Sequence, residues 1–117
     1  MAKTYNFNRN SSSPTTRQAL RLLGGLIEEG RIRKGWSREA LAERAGLGAV
    51  TIRRITRGEP GVAIGSYFEA AALVDIPLFG QECAHELDRE LSRQQEKLTL
   101  LPSRVRRPGE EPVDDDF

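Results

Sequence analysis

Residues 45–61 read AGLGAVTIRRITRGEPG and combine a helical apolar pattern with concentrated positive charge. Apolar residues at positions 47, 52 and 55 fit one face of a helix, whereas arginines occupy positions 53, 54 and 57. The neighbouring carboxylates are too few to neutralise these three arginines. We therefore expect an anionic partner to lie against this helix.

Length and composition restrict the classes of protein to consider. A chain of 117 residues has the length of one domain with tails. Cys83 and His85 are its only cysteine and histidine, so no internal disulfide can form, and neither a metal site nor a catalytic triad is indicated. We predict no cofactor, no metal and no enzymatic activity. No apolar run has the length of a membrane span and no secretion signal is evident, so we expect a cytoplasmic protein.

The net charge of +1 conceals an uneven distribution along the chain. Residues 14–60 contain ten Lys/Arg against five Asp/Glu, whereas residues 61–101 contain three against seven. The sign of the charge therefore reverses at Gly61. Solvated faces account for many asymmetries of this size, but the basic part is also a candidate for phosphate contacts.

Apolar spacing and capping signals predict five helices and hence an all-α fold. The first helix runs from about residue 16 to 34, with an inner stripe of Leu20, Leu23 and Ile27, and its glycines indicate close backbone packing. The second covers residues 38–45 behind a serine N-cap, and the third covers about residues 49–56. The core residues expected around these helices are Trp36, Leu41, Ile52 and Ile55.

Two further helices are predicted in the acidic part of the chain. Residues 61–74 contain a helix that closes the domain, and a strongly charged helix runs from residue 81 to about residue 97. The inner side of the domain-closing helix is expected to carry Ile64, Phe68, Ala71 and Ala72. Tyr67 is expected to pack rather than to stack on bases.

Two short helices joined by a glycine-containing turn, the second rich in arginine, form the pattern of a helix-turn-helix. The stretch GWSREALAERAGLGAVTIRRITRGEPGVAIGSYFEAAALVDI resembles the Xre, or phage-repressor-like, helix-turn-helix family. The resemblance covers about residues 20–76 and implies a five-helix domain that binds double-stranded DNA. We expect a disordered arm at 1–15, this DNA-binding domain at 16–79, a charged helix with a short extended LTLL piece at 80–101 and a disordered, flexible charged tail at 102–117.

The resemblance also assigns DNA contacts to particular positions. Ser37 and Arg38 match positions that touch phosphate or the edge of the site. Gly48, Ala49 and Val50 match the N-terminal end of the recognition helix, where the family often has polar side chains. Their small size here favours contact with thymine methyl groups and close backbone approach.

The polar candidates within the recognition helix are Thr51, Arg53, Arg54 and Arg57. We expect Arg54 on bases, and Arg53 and Arg57 on phosphates. The alternative for each arginine is a solvated helix face or an ion pair with a carboxylate such as Glu59.

The charged helix carries a narrow apolar seam of Ala84, Leu87, Leu91 and Leu98. This spacing favours a partner helix, and hence a homodimer on an inverted-repeat operator, because one module of this size reads only a few base pairs. Packing of the seam against its own domain is the alternative.

The last part of the chain, KLTLLPSRVRRPGEEPVDDDF, is proline-broken and polar and ends in Phe117, a candidate for contact with another protein. An Xre-like domain followed by a charged helix, an LxxLPxRVRRP segment and an acidic end resembles the antitoxin partners of HipA-like kinase toxins. The resemblance implies an autorepressor that also binds such a toxin. A stand-alone Xre-type repressor and a protein-interaction adaptor without DNA binding are the alternatives.

Overall fold

The computed structural model describes residues 12–105 and residue 109. Within these residues the chain forms helices and no strand, which confirms the predicted all-α class. In chain order the elements are α1 (Pro14–Lys34), α2 (Arg38–Ala45), α3 (Ala49–Thr56), α4 (Ile64–Leu73) and α5 (Ala84–Thr99).

The first helix begins two residues earlier than predicted, so Pro14 and Thr15 belong to α1 and not to the N-terminal arm. Ser13 is its N-cap, and the Ser13 side chain accepts a hydrogen bond from the Thr16 amide at 3.2 Å. Pro14 fits the first helical position, where no intrahelical amide bond is needed. Residues 1–11 of the predicted arm lie outside the described residues.

The second and third helices have the predicted bounds because their ends are signalled by local chemistry. The Ser37 side chain accepts from the Ala40 amide at 3.0 Å and caps α2. Gly46 ends that helix in the left-handed conformation, with φ of 68°. Gly48 then begins α3 without any side-chain cap.

One core unites the first four helices, because α3 and α4 each pack against both α1 and α2. The predicted positions Ile27, Leu41, Ile52 and Ile55 are fully buried, and Leu20, Leu23 and Trp36 pack against them as partly buried residues. The other buried apolar residues are Ala42, Tyr67, Ala70, Ala71 and Val74.

The inner face predicted for α4 is wrong except at Ala71. Ile64 is 55% exposed, Phe68 is only half-buried and Ala72 is exposed. The helix begins at Ile64 rather than near Gly61 and turns Tyr67 inward instead. Packing of this large ring sets the rotation of α4, which the apolar count along a nearly all-apolar helix could not define.

Three glycines allow α1 to pack closely against its neighbours. The sequence indicated this for Gly24 and Gly30 but not for Gly58, and it indicated it wrongly for Gly25, which has nothing within 4 Å of an added Cβ atom. A Cβ atom on Gly24 would lie 2.3 Å from the Ile55 carbonyl oxygen, and one on Gly58 would lie 2.5 Å from the Arg21 Cα atom. A Cβ atom on Gly30 would lie 2.7 Å from a Val74 methyl carbon. The first two contacts hold α1 against the end of α3, and the third holds α1 against the end of α4.

The described residues from Cys83 onward form a separate compact unit. Its helix α5 starts at Ala84, three residues later than predicted, and continues through Thr99, so the predicted extended LTLL piece is wrong. Leu98 and Thr99 extend the helix and Leu100 is its C-cap. No residue of α5 is buried. Within the described residues no helix combines the length and apolar character needed to span a membrane.

The glycine contact between α1 and α3 gives a matched pair of substitutions. Gly24→Ala should lower the free energy of unfolding by about 2 kcal/mol or more, because the new methyl group meets backbone atoms that have no free rotamer. Gly25→Ala should raise it by about 0.5–1 kcal/mol, because nothing lies within 4 Å of the added Cβ atom and alanine favours helix. Urea denaturation of both variants measures this contrast, and equal effects would contradict the close contact.

Candidate nucleic-acid interface

The outward face of α3 carries the charge that the sequence indicated. Val50, Arg53, Arg54 and Arg57 are exposed and follow the 3, 4, 7 spacing of one helix face. On the opposite face, Ile52 and Ile55 are fully buried in the core. The helix is therefore fixed by one side and presents one apolar and three cationic side chains on the other.

Few carboxylates neutralise this face. Arg57 has one nearby, with 3.9 Å between its Nη1 atom and Glu59 Oε2, at the outer limit of an ion pair. In the part of the chain that the structure describes, the guanidinium groups of Arg53 and Arg54 have no carboxylate partner. Exposed cations without counter-charges attract an anion at low energetic cost.

The N-terminal end of α3 lacks a side-chain cap and carries small residues. Gly48 is its N-cap and forms no side-chain cap hydrogen bond, so within the described residues no side chain caps the first-turn amides. Ala49 and Thr51 are half-buried and Val50 is 55% exposed. The small residues let another molecule approach this end of the helix closely.

The two predicted residues of α2 have structural partners. The Ser37 hydroxyl oxygen accepts a hydrogen bond from the Ala40 amide, and the hydroxyl proton remains able to donate. The Arg38 guanidinium donates to Glu28 Oε2 at 2.9 Å, and its side chain remains 46% exposed. Both residues lie at the start of α2.

Glu28 is the centre of a network that the sequence analysis missed. Arg31 donates to both of its carboxylate oxygens, at 2.9 and 2.7 Å, and also donates to the Trp36 carbonyl oxygen at 2.6 Å. Hydrogen bonding to Arg31, together with the charges of Arg31 and Arg38, holds the pKa of Glu28 below its usual value against the opposing effect of burial. The i,i+3 spacing of Glu28 and Arg31 is the sequence signal that could have revealed this pair.

The Trp36 ring lies in the turn between α1 and α2, residues 35–37, which we call the corner. The Arg44 guanidinium lies 4.4 Å from the ring centroid and the Lys34 ammonium lies 5.5 Å from it. Cation–π contacts of this kind contribute about 0.5–1 kcal/mol at exposed sites. Four cations of this region therefore serve the corner itself: Arg31, Lys34, Arg38 and Arg44.

A buried tyrosine fixes the segment that follows α3. The Tyr67 hydroxyl donates to the Glu59 carbonyl oxygen at 2.6 Å. Burial, with a smaller contribution from the Glu59 charge, raises the pKa of Tyr67 to about 12. The bond ties α4 to the segment at the end of α3, close in sequence to Arg57.

Arg21 is a second residue that sequence reasoning missed. Its backbone meets Gly58 directly, so it lies next to the end of α3, and it is exposed. This proximity depends on a contact between residues far apart in sequence, and no local pattern signals it.

The remaining predicted residues lie elsewhere. Ala84, Leu87, Leu91 and Leu98 belong to α5 in the second unit, and Phe117 lies outside the described residues. The described residues contain no group of three or more His, Cys, Asp or Glu side chains that could hold a metal ion.

Residues 27–78 match the family model described as helix-turn-helix. The match begins within α1 and continues past α4, so it includes the helix pair described above. It supports the resemblance to Xre-type proteins, and it supports a DNA-binding transcriptional regulator as the class of protein. Comparison of the chain with curated proteins gave no match.

The Glu28 network has a testable pH dependence. The lowered pKa of Glu28 in the folded state stabilises the protein above the unfolded-state pKa, and this stabilisation is lost as the pH falls through the folded-state pKa. Glu28→Gln should therefore cost about 1–2 kcal/mol of unfolding free energy near neutral pH and progressively less as the pH falls below the usual pKa of a glutamate.

Glu29→Gln is the matched control for this measurement. Glu29 pairs with Arg33 at 3.0 Å, but both side chains are more than 60% exposed, at 63% and 65%. Its loss should change stability by less than about 0.5 kcal/mol at any pH. Equal, pH-independent losses for the two variants in chemical denaturation would show that Glu28 does not hold the corner through its charge.

Proposed function

We propose that the chain is a sequence-specific DNA-binding regulator that inserts α3 into the major groove and represses its own operon in the cytoplasm. The observation that carries this proposal is the outward stripe of Val50, Arg53, Arg54 and Arg57 on a helix held from behind by buried isoleucines. A helix in this setting fits the major groove in width, and its arginines supply both base and phosphate contacts.

The positions along the stripe suggest distinct roles. Arg54 follows Val50 by about one turn, so the two side chains can reach neighbouring base edges, Arg54 by hydrogen bonds to guanine and Val50 by contact with a thymine methyl group. Arg53 and Arg57 lie on one side of this line and contact phosphates. Gly48 and Ala49 allow the backbone to approach the groove, with Thr51 as an additional polar contact.

The start of α2 supplies the next contacts. Ser37 can donate its hydroxyl proton to a phosphate while its oxygen continues to cap the helix. Arg38 has donors beyond the one directed at Glu28, and nearly half of its side chain is exposed. Positioning on phosphates, rather than reading of bases, is the role that both geometries favour.

We further propose that the protein acts as a homodimer on an inverted repeat. One helix-turn-helix module contacts only a few base pairs, and two modules related by two-fold symmetry read half-sites about 34 Å apart or a multiple of that distance. The seam of Ala84, Leu87, Leu91 and Leu98 on α5, of which Leu87 is half-buried and the other three are exposed, is the surface we assign to the dimer.

A finer candidate function is that of an antitoxin for a HipA-like kinase toxin. It is favoured by a second unit separate from the DNA-binding one and by the basic and then acidic sequence after α5, which ends in Phe117. A stand-alone repressor uses the same interface without a toxin. An adaptor that has lost DNA binding would not explain why the exposed arginines of α3 have so few carboxylates beside them.

Substitution of two arginines separates base reading from phosphate contact. Arg54→Ala should weaken specific binding by about 1–3 kcal/mol and relax the preference at one base position. Arg57→Ala should weaken binding to all sequences alike and lower the salt dependence of the binding constant by about one unit of slope. Fluorescence anisotropy with specific and random duplexes at several salt concentrations measures both effects. An equal loss on both duplexes for both variants would contradict these roles.

The antitoxin proposal is tested with the tail. A tagged full-length chain purified from its native host should carry a kinase-like protein identifiable by mass spectrometry, and a variant lacking residues 108–117 should retain less of it. The truncation should leave thermal stability within about 0.5 kcal/mol, as for surface changes generally. Its affinity for operator DNA should be unchanged or slightly higher, because five carboxylates are removed. Absence of any kinase from the full-length sample would favour the stand-alone repressor.

A further inference from the structure

The apolar seam of α5 fits a heptad repeat that extends beyond the four residues named above. With Ala84, Leu91 and Leu98 at the a positions, the d positions within the helix are Leu87 and Gln94, and Leu101 takes the next d position just after the helix ends. Leu91 is 53% exposed and Leu98 is 55% exposed, and no residue of the helix is buried. A regular a/d seam left open in this way is suited to one helix of matching length.

We propose that the occupant of the seam is α5 of a second copy of the chain, in antiparallel orientation. The register we propose places Leu87 opposite Leu98 of the partner subunit and Leu91 opposite the partner's Gln94. The register is centred between residues 92 and 93, close to the middle of Ala84–Thr99, so almost the whole helix of about 24 Å is paired. The inference rests on the proposed dimer and specifies how its two subunits meet.

Charge determines both the orientation and the register. Glu90 and Lys97 occupy the g positions, and the g positions of antiparallel helices flank the seam together. The proposed register sets Glu90 opposite the partner's Lys97 and Lys97 opposite the partner's Glu90, which gives two attractive pairs by symmetry. A shift of one heptad sets Glu90 opposite the partner's Glu90 in one direction and Lys97 opposite the partner's Lys97 in the other.

A parallel dimer lacks this complementarity. In parallel helices a g position faces the e position of the next heptad, so Glu90 would face the partner's Gln95, and the position facing Lys97 would lie beyond the end of the partner's helix. No pair of opposite charges forms. Glu90 already binds Arg93 within its own helix, with 2.6 Å between Glu90 Oε2 and Arg93 Nη1, and its Oε1 atom is available for the partner's lysine.

Disulfide trapping of the full-length chain tests the geometry. In a Cys83→Ser background, which removes the exposed native thiol, Glu90→Cys and Lys97→Cys are prepared separately and oxidised alone or as an equimolar mixture. The mixture should form a covalent heterodimer at least about five times faster than either variant forms a homodimer, because positions 90 and 97 differ by only about 3 Å along the helix axis, against about 8 Å for two copies of position 90 and about 14 Å for two copies of position 97. Leu87→Cys in the same background should not crosslink to itself, whereas parallel helices would place those two thiols together.

A charge exchange provides a second test without oxidation. Glu90→Lys and Lys97→Glu should each raise the dimer dissociation constant about five-fold, and the double variant should return to within about two-fold of the native value. Glu96→Lys makes the same charge change at an outer f position and should have no such effect. Sedimentation equilibrium measures all four proteins.

The outcomes separate the arrangement from the dimer itself. Self-crosslinking of Leu87→Cys, or charge variants that show no compensation, would overturn the antiparallel arrangement while the proposed dimer stands. A native chain that sediments as a monomer at all concentrations, with no crosslink in any mixture, would overturn the dimer and leave the seam to a different protein. Specific DNA binding by the same preparations shows whether the regulator proposal survives either result.

Discussion

The position of α3 depends on one backbone contact, between Gly24 of α1 and the end of α3. The absence of a side chain at Gly24 lets the Ile55 carbonyl and the Gly58 amide approach the α1 backbone directly. Gly58, at the end of α3, in turn lies directly against the α1 backbone at Arg21. Interlocked backbones leave little freedom for rotation of α3, and this restriction keeps Ile52 and Ile55 inside and the arginine stripe outside. A helix that could rotate by a few tens of degrees would mix the two faces and could not serve the DNA-reading role proposed for α3.

The second organising feature is the division of the positive charges between structure and function. Arg31 and Arg38 serve Glu28, and Lys34 and Arg44 flank Trp36, so these cations hold the corner that aligns α2 with α1. In the described part of the chain, the guanidinium groups of Arg53 and Arg54 form no ion pair and no cation–π contact. The overall charge of +1 conceals this difference. The face of α3 can attract an anion because carboxylates are locally few, not because the whole protein has an excess of arginine.

Sequence reasoning succeeded where local chemistry determines structure and failed where tertiary contacts do. Ser37, Gly46 and Gly48 mark the ends of α2 and α3, and both helices have the predicted bounds. The inner face of α4 was wrong because a run of alanines with aromatic neighbours has no clear apolar side, and the burial of Tyr67 decides it. Close packing was foreseen for the glycines of α1, but Gly24 takes part in it while Gly25 does not, a distinction that depends on the position of α3. The Glu28 network follows from a corner that only the folded chain forms. The assignment of individual DNA contacts remains a prediction.

The most direct test of the central claim, that the outward stripe of α3 reads DNA, is selection of bound sequences from a random duplex library with the full-length chain. We predict enrichment of one short motif, present twice in inverted orientation. This enrichment should be lost when Val50, Arg53 and Arg54 are all replaced by alanine in a protein that still folds. A native chain that enriches no motif, or a triple variant that enriches the same motif, would contradict it.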